Sequence, residues 1–262
     1  MDLQLETAEP VRRTELQPVL LVHGAWHGAW CWSETFMPYL AERGYQTHAM
    51  SFRGHGTSPI GRSIKVTRAS DYVEDLASVI DRLPAKPLVV AHSMGAMVVA
   101  KYLEQDDLPG VVMLAPVPAH GLLPLTMKLL WRHPLRLAAA NLRWSLKPMV
   151  NSPEIVRELL FPDDTPDEFA AAWAQKLTDE AYLGFLDMIL FDLPTRAAIR
   201  DRQILVLAAD NDRLFSVEEQ RKTAEAYSAE FEVIPGITHN MMAAPGWEGV
   251  ANRVTDWFAT LS

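Results

Sequence analysis

Ser93 sits where a hydroxyl could be made into a nucleophile. It follows the apolar run Pro87-Leu88-Val89-Val90-Ala91-His92 and precedes Met94-Gly95-Ala96-Met97-Val98-Val99. A short apolar run bounded by proline suits a buried parallel strand, and an Ala- and Met-rich segment suits a helix. A serine on the sharp turn between them has its hydroxyl pushed beyond the sheet edge, beside the unpaired N–H groups of the helix start. The local pattern, A-x-S-x-G, is one residue away from the nucleophile elbow G-x-S-x-G. A serine alcohol is a weak nucleophile near neutral pH. It needs a base in hydrogen-bond reach, and the base needs a partner that fixes its tautomer.

Both partners have candidates further along. The apolar run Ile204-Leu205-Val206-Leu207-Ala208-Ala209 breaks into the acidic turn Asp210-Asn211-Asp212-Arg213-Leu214-Phe215, which offers Asp210 and Asp212. Then Val233-Ile234-Pro235-Gly236-Ile237-Thr238-His239-Asn240 gives a strand, a Pro-Gly turn and a histidine. The chain order is Ser, Asp, His, as expected with a nucleophile elbow. Near the N-terminus, Val19-Leu20-Leu21-Val22 ends in His23-Gly24-Ala25-Trp26. A strand ending in His-Gly leaves a backbone N–H exposed near the elbow. Together with the residue after the nucleophile it could hold an oxyanion, which points to the N–H groups of Ala25 and Met94.

These residues need a scaffold. Buried strands are predicted at Val19–Val22, Gln46–Met50, Leu88–Ala91, Val111–Leu114, Ile204–Ala208 and Glu232–Ile234. Helical patterns separate them: one after an N-cap at Ser33, one from Ser70 or Asp71 that Pro84 stops, one opened by the capping box Ser216-x-x-Glu219, and one carrying Val250, Val254, Trp257 and Leu261. Alternation of strand and helix implies an α/β fold with a mostly parallel central sheet of six to eight strands, flanked by helices. The segment 117–200 breaks the alternation. It is rich in Leu, Ala, Trp, Met and Pro and reads as several short helices. The expected organisation is therefore a core of residues 1–116 and 201–262 with a helical cap or lid, 117–200, over the strand ends where ligands bind in such sheets.

Composition narrows the function. The chain has 262 residues, 49% hydrophobic and 22% charged, with a net charge of −9; this is enough for one large domain. The acidic balance argues against nucleic acid as the main partner and against a polybasic membrane anchor. The single cysteine, Cys31, leaves no internal disulfide framework and argues against a thiolate metal site. There is no apolar leader, no eighteen-residue apolar stretch, and no G-x-G-x-x-G or P-loop motif. The expectation is a cytoplasmic protein, monomer or homodimer, with no integral membrane association, no cofactor and no metal.

The His-Gly loop, the Arg53-Gly54-His55-Gly56-Thr57-Ser58 turn, the elbow at Ser93, the Asp212-Arg213-Leu214-Phe215 turn and the late His239 occur together in one order. In this the chain resembles the α/β-hydrolase superfamily, in its serine esterase/lipase-like branch, over residues 17–262. The resemblance implies the α/β-hydrolase fold and favours Asp212 over Asp210 as the acid, with Ser93 as nucleophile and His239 as base. It implies hydrolysis of a carboxylic ester through an acyl-enzyme, with thioester cleavage, carbon–carbon bond hydrolysis or cofactor-free perhydrolysis as alternatives on the same triad, and a non-catalytic ligand binder as an alternative of another class. A serine at the elbow argues against epoxide hydrolysis and dehalogenation. Gly24 and Asn240 stand where esterase-like hydroxynitrile lyases carry Thr and Lys. Two departures stand out: Ala91 replaces the first elbow glycine, and Ser51 replaces an acidic residue before the Arg-Gly-His-Gly turn, a change expected to alter local hydrogen bonding only. The apolar character of 117–200 suggests a small-molecule substrate with a medium-chain or aromatic acyl group, contacted by Trp26, His27, Met127 and Met188. His23 and His55 are expected to bond backbone within their turns.

Overall fold

The computed structural model describes residues 2–12 and 14–261. Seven strands form one sheet: β1 (Leu5–Ala8), β2 (Val19–Val22), β3 (Thr47–Met50), β4 (Leu88–His92), β5 (Val111–Leu114), β6 (Ile204–Ala209) and β7 (Glu230–Ile234). Their spatial order is β1-β3-β2-β4-β5-β6-β7. Every pairing is parallel except that of β1 with β3, which is antiparallel and matches Leu5 to Met50 and Ala8 to Thr47. The interior strands β2 to β6 are buried along their whole length; β2, β5 and β6 are accordingly unbroken apolar runs, and β4 is one up to His92.

Helices α1 (Phe36–Glu42), α2 (Ala69–Ile80) and α3 (Met94–Tyr102) connect the first strands. Between β5 and β6 lie α4 (Leu123–Arg132), α5 (Pro134–Arg143), α6 (Pro153–Leu160), α7 (Asp167–Lys176) and α8 (Tyr182–Leu186). Three of these begin with proline in the first turn, where its missing N–H costs nothing. The chain returns through α9 (Val217–Tyr227), opened by the expected capping box of Ser216 and Glu219, and ends with α10 (Trp247–Phe258), which buries Val250, Val254 and Trp257.

The sheet order turns back on itself at β2, with β3 on one side and β4 on the other. A crevice forms at such a reversal, outside the carboxyl ends of the strands. The loops after β2, β4, β6 and β7 open there, and they carry the residues singled out from the sequence. Ser33 departs from expectation: α1 starts three residues later, and the Ser33 hydroxyl instead donates to Glu6 at 2.6 Å.

Candidate active site

Ser93 occupies a strained turn. Its backbone has φ 50° and ψ −114°, a conformation unfavourable to a residue with a side chain. Neighbours hold it there. The Ser93 N–H donates to Leu114 O at 3.0 Å, and Ser93 O accepts from Ala96 at 3.1 Å and Val117 at 3.2 Å. Gly95 lets α3 start this close to β2, because a Cβ on it would lie 2.5 Å from the His23 carbonyl oxygen. Ala91, by contrast, packs its methyl group fully inside the core, so the departure from glycine at that position is accommodated.

The loops after β6 and β7 bring Asp212 and His239 to this turn. His239 Nε2 lies 3.1 Å from Ser93 Oγ, and its Nδ1 lies 2.8 Å from Asp212 Oδ2. The other Asp212 oxygen accepts the N–H groups of Leu214 at 2.7 Å and Phe215 at 3.1 Å. A carboxylate tied to two amides has a fixed direction, and it orients the imidazole so that Nε2 faces the hydroxyl. Asp210 is exposed and stands outside this line. His92 turns the other way: its Nε2 donates to His239 O at 2.9 Å, and burial pushes its second protonation well below the usual histidine range.

The loop after β2 is built from histidines that serve the backbone. His23 donates from Nδ1 to Gly24 O at 2.7 Å and accepts the Phe52 N–H at 3.1 Å. His27 donates from Nδ1 to Ala25 O at 2.7 Å and accepts from Trp173 Nε1 at 3.0 Å. Burial, with the neighbouring charge of His55 for His23, holds the two imidazoles neutral, with pKa values lowered to about 3 and about 4. Because a trans peptide points its N–H opposite to its C=O, fixing the Gly24 carbonyl toward His23 sends the Ala25 N–H the other way. Ala25, Ser93 and Met94 all line the same cavity.

That cavity, together with the solvent-open space at its mouth, spans about 670 Å³ not filled by protein atoms. Its walls are nearly all hydrocarbon: Leu125 and Leu129 of α4, Leu137 of α5, Met149, Leu159 of α6 and Met188 among them. Trp26 lines it too, and the Trp26 indole N–H is buried without a hydrogen-bond partner among the described residues. Of the four residues expected to meet substrate, Trp26 and Met188 reach the cavity. His27 lies buried beneath the loop instead, its ring nitrogens used by Ala25 and Trp173. Met127 sits on the outer side of α4, 46% exposed, because Leu125 and Leu129, two residues to either side, take the inward face of the helix.

Glu180 was not foreseen. It lines the cavity and is fully buried. Its carboxylate accepts the Trp26 N–H at 2.9 Å, the Ala181 N–H at 2.7 Å and the Tyr72 hydroxyl at 2.6 Å, and pairs with His55 Nε2 at 3.1 Å. Burial alone would raise its pKa, but the His55 charge and these donors win and hold it near about 2. Burial opposes protonation of His55, and the Glu180 carboxylate overrides it, so the His55 pKa is raised. The other His55 nitrogen meets Arg53 O at 3.2 Å. Only Tyr72 and His55 themselves hint at the site in sequence, and they lie 108 and 125 residues from Glu180. Ser51 accepts the Ala29 N–H at 2.8 Å and donates to Gln4 at 2.9 Å, and so ties the turn after β3 to two other segments. Among the described residues no group of three or more His, Cys, Asp or Glu side chains is placed to hold a metal ion.

A seven-stranded, mostly parallel sheet with a strained serine after β4 and an acid and a histidine at later strand ends defines a class. Residues 19–252 match the Alpha/beta hydrolase family, and the chain belongs to it. Its curated relatives include Methylesterase 3 of Arabidopsis thaliana, 32% identical over 90 residues, and Methyl jasmonate esterase 1 of Vitis vinifera, 35% identical over 89 residues. These matches span about a third of each chain, 34% of both for the first and 33% of both for the second. Among solved structures the chain is similar to a thermophilic esterase from Thermogutta terrifontis, with TM-score 0.77 and 19% identity over 99% of this chain and 93% of that one.

Proposed function

We propose that this protein hydrolyses carboxylic esters through an acyl-enzyme on Ser93. The observation that carries the reading is the hydrogen-bonded line from Asp212 through His239 to Ser93, opening onto an apolar cavity. Ser93 Oγ attacks the ester carbonyl while His239 Nε2 takes the hydroxyl proton. Asp212 holds the imidazole in place and stabilises its cationic form. The N–H groups of Ala25 and Met94 hold the developing oxyanion. His239 then gives its proton to the departing alcohol. Water, deprotonated by the same nitrogen, cleaves the acyl-enzyme and frees the acid.

The helices between β5 and β6 act as the cap of this site, and their inward leucines and methionines set the acyl preference. The acid part of the substrate is a medium-chain or aromatic group without charge, since the cavity offers it almost no polar partner. The relatives named for methyl esters support a small alcohol part. The test combines two measurements. A fluorophosphonate probe should add its mass to Ser93, as mapped by peptide mass spectrometry. A p-nitrophenyl ester series should show kcat/KM rising from acetate to a maximum between butyrate and octanoate. Labelling elsewhere, or none, would remove Ser93 as nucleophile; a flat series would remove the acyl preference.

A further inference from the structure

The helices that wall the cavity also carry apolar side chains on their outer faces. Leu123, Met127, Leu130 and Trp131 of α4 and Leu135 and Leu142 of α5 are all exposed, with Trp131 at 85%, Leu135 at 84% and Leu142 at 87%. On α4 these fall at spacings of four, three and one; on α5 they are seven apart. Each set is one helical stripe. The inward stripes are Leu125, Leu129 and Leu137, which line the cavity. Both helices are thus apolar on two sides, and the outer one is left exposed or half-exposed by the described residues. Solvent-facing apolar stripes of this extent mark a contact surface.

Charge says what covers it. The chain carries −9 overall, yet no Asp or Glu occurs from Leu108 to Pro153, while Lys128, Arg132, Arg136, Arg143 and Lys147 do. The overall acidity therefore hides a cationic face on α4 and α5. Arg132 is paired with Glu158 at 2.6 Å and Lys147 spans to Leu177 O at 2.5 Å. Lys128 donates only to a carbonyl, that of Arg213 at 2.5 Å, and Arg136 bonds Pro148 O at 2.8 Å and Asn151, so their charges are not neutralised by these bonds. Lys65 adds a further cation beside Arg143, bonded to its carbonyl at 2.8 Å. Two copies of this face would set cations against cations. Exposed Trp and Leu flanked by Lys and Arg on short amphipathic helices fit the boundary of an anionic bilayer.

We propose that α4 and α5 dock this protein on anionic lipid surfaces, lying in the headgroup boundary with Trp131, Leu135 and Leu142 inserted. No helix among the described residues is long and apolar enough to cross a membrane, so the contact is peripheral. Docked this way, the cavity lies about 10 Å, one helix diameter, from the bilayer. An apolar molecule dissolved in lipid then has a short path to it.

Flotation of the full chain with lipid vesicles tests this without any turnover, so its outcome is separate from the fate of the esterase reading. The protein should float with phosphatidylcholine vesicles containing phosphatidylserine, far less with pure phosphatidylcholine, and less as salt rises. The combined Trp131→Ser, Leu135→Ser and Leu142→Ser variant should bind at least about tenfold more weakly. The Lys128→Gln and Arg143→Gln variant should lose most of the preference for anionic vesicles and most of the salt dependence. Circular dichroism checks that both remain folded. Absence of flotation would overturn the proposal, as would equal binding by parent and variants. A dimer in light scattering that the serine variant dissolves, with vesicles ignored, would assign the face to a second copy instead.

Discussion

Two buried histidine–carboxylate pairs lie near the same cavity, which Glu180 of one and Ser93, the partner of the other, help to line, and they are built alike up to a point. His239 meets Asp212 at 2.8 Å and His55 meets Glu180 at 3.1 Å. In each the carboxylate also accepts two backbone N–H groups. The difference is at the far nitrogen. That of His55 is closed by the Arg53 carbonyl, and Tyr72 and the two amides take the remaining capacity of Glu180. That of His239 faces the hydroxyl of Ser93. A buried imidazole beside a carboxylate becomes chemically useful when its second nitrogen meets a group that can give up a proton to it. Where that nitrogen meets a carbonyl, the pair joins segments of the chain: here, the turn after β3, α2 and the segment before α8.

Substitutions should separate the two pairs. Ser93→Ala should lower kcat by about a million-fold and leave the unfolding midpoint within a few degrees. Asp212→Asn should lower kcat by about ten-thousand-fold, since the imidazole loses its fixed tautomer while the shape is kept. Glu180→Ala should do the reverse. It strands His55, Tyr72 and two N–H groups in a dry site and should cost about 3–5 kcal/mol of stability in denaturant unfolding, with only about a tenfold loss of kcat through the Trp26 loop. If Asp212→Asn unfolds the protein while Glu180→Ala spares stability and abolishes turnover, the roles assigned to the pairs are exchanged.

The closed pair also has a pH signature. The folded Glu180 pKa is about 2 against an ordinary 4.5, so its contribution is present above about pH 4.5 and fades as pH falls toward 2. The His55 pKa is raised above 6.5, so its contribution is complete below pH 6.5 and is lost as pH climbs through the raised value. The stability difference between the parent and His55→Gln should therefore be widest between about pH 4.5 and 6.5 and shrink on both sides. The difference is the useful quantity, because His23 and His27, held neutral by burial, weaken the folded state by themselves as pH drops below their ordinary value. A difference that keeps growing above pH 7 would contradict a charged pair. The smallest effect is expected at the cavity wall: Trp26→Phe keeps the ring and deletes the unpartnered N–H. If that N–H meets a substrate oxygen, KM should rise about fivefold with kcat nearly unchanged; an unchanged KM would leave Trp26 as wall only.

Much of this was legible because strand ends are marked in the chain itself. Most of the parallel strands are or end in short apolar runs, and the residues just past each strand lie at the sheet edge, so Ser93, Asp212 and His239 could be placed without knowing their separations. The antiparallel edge strand β1 was not legible: Leu5–Ala8 is only half-buried and mixed in polarity, and it is defined by its partner β3. Met127 was readable in principle, since the two-residue offset from Leu125 and Leu129 puts it on the opposite side of α4. Glu180 was not, because nothing local distinguishes a carboxylate destined for three distant donors from one destined for water. Local rules reach as far as the turn that aims a side chain, and the inserted helices are defined by what they cover.

Trp26 is gripped from both directions. Its N–H goes to Glu180, and its carbonyl takes the Thr178 N–H at 2.9 Å, with φ at 66°. The stretch from Thr178 to Glu180 is therefore a splint for the loop that would steady a negative oxygen. If residues 178–180 were to swing out for a guest, the splint would come off at the moment of arrival. Traffic past the α4 and α5 end would instead leave that splint in place through every cycle.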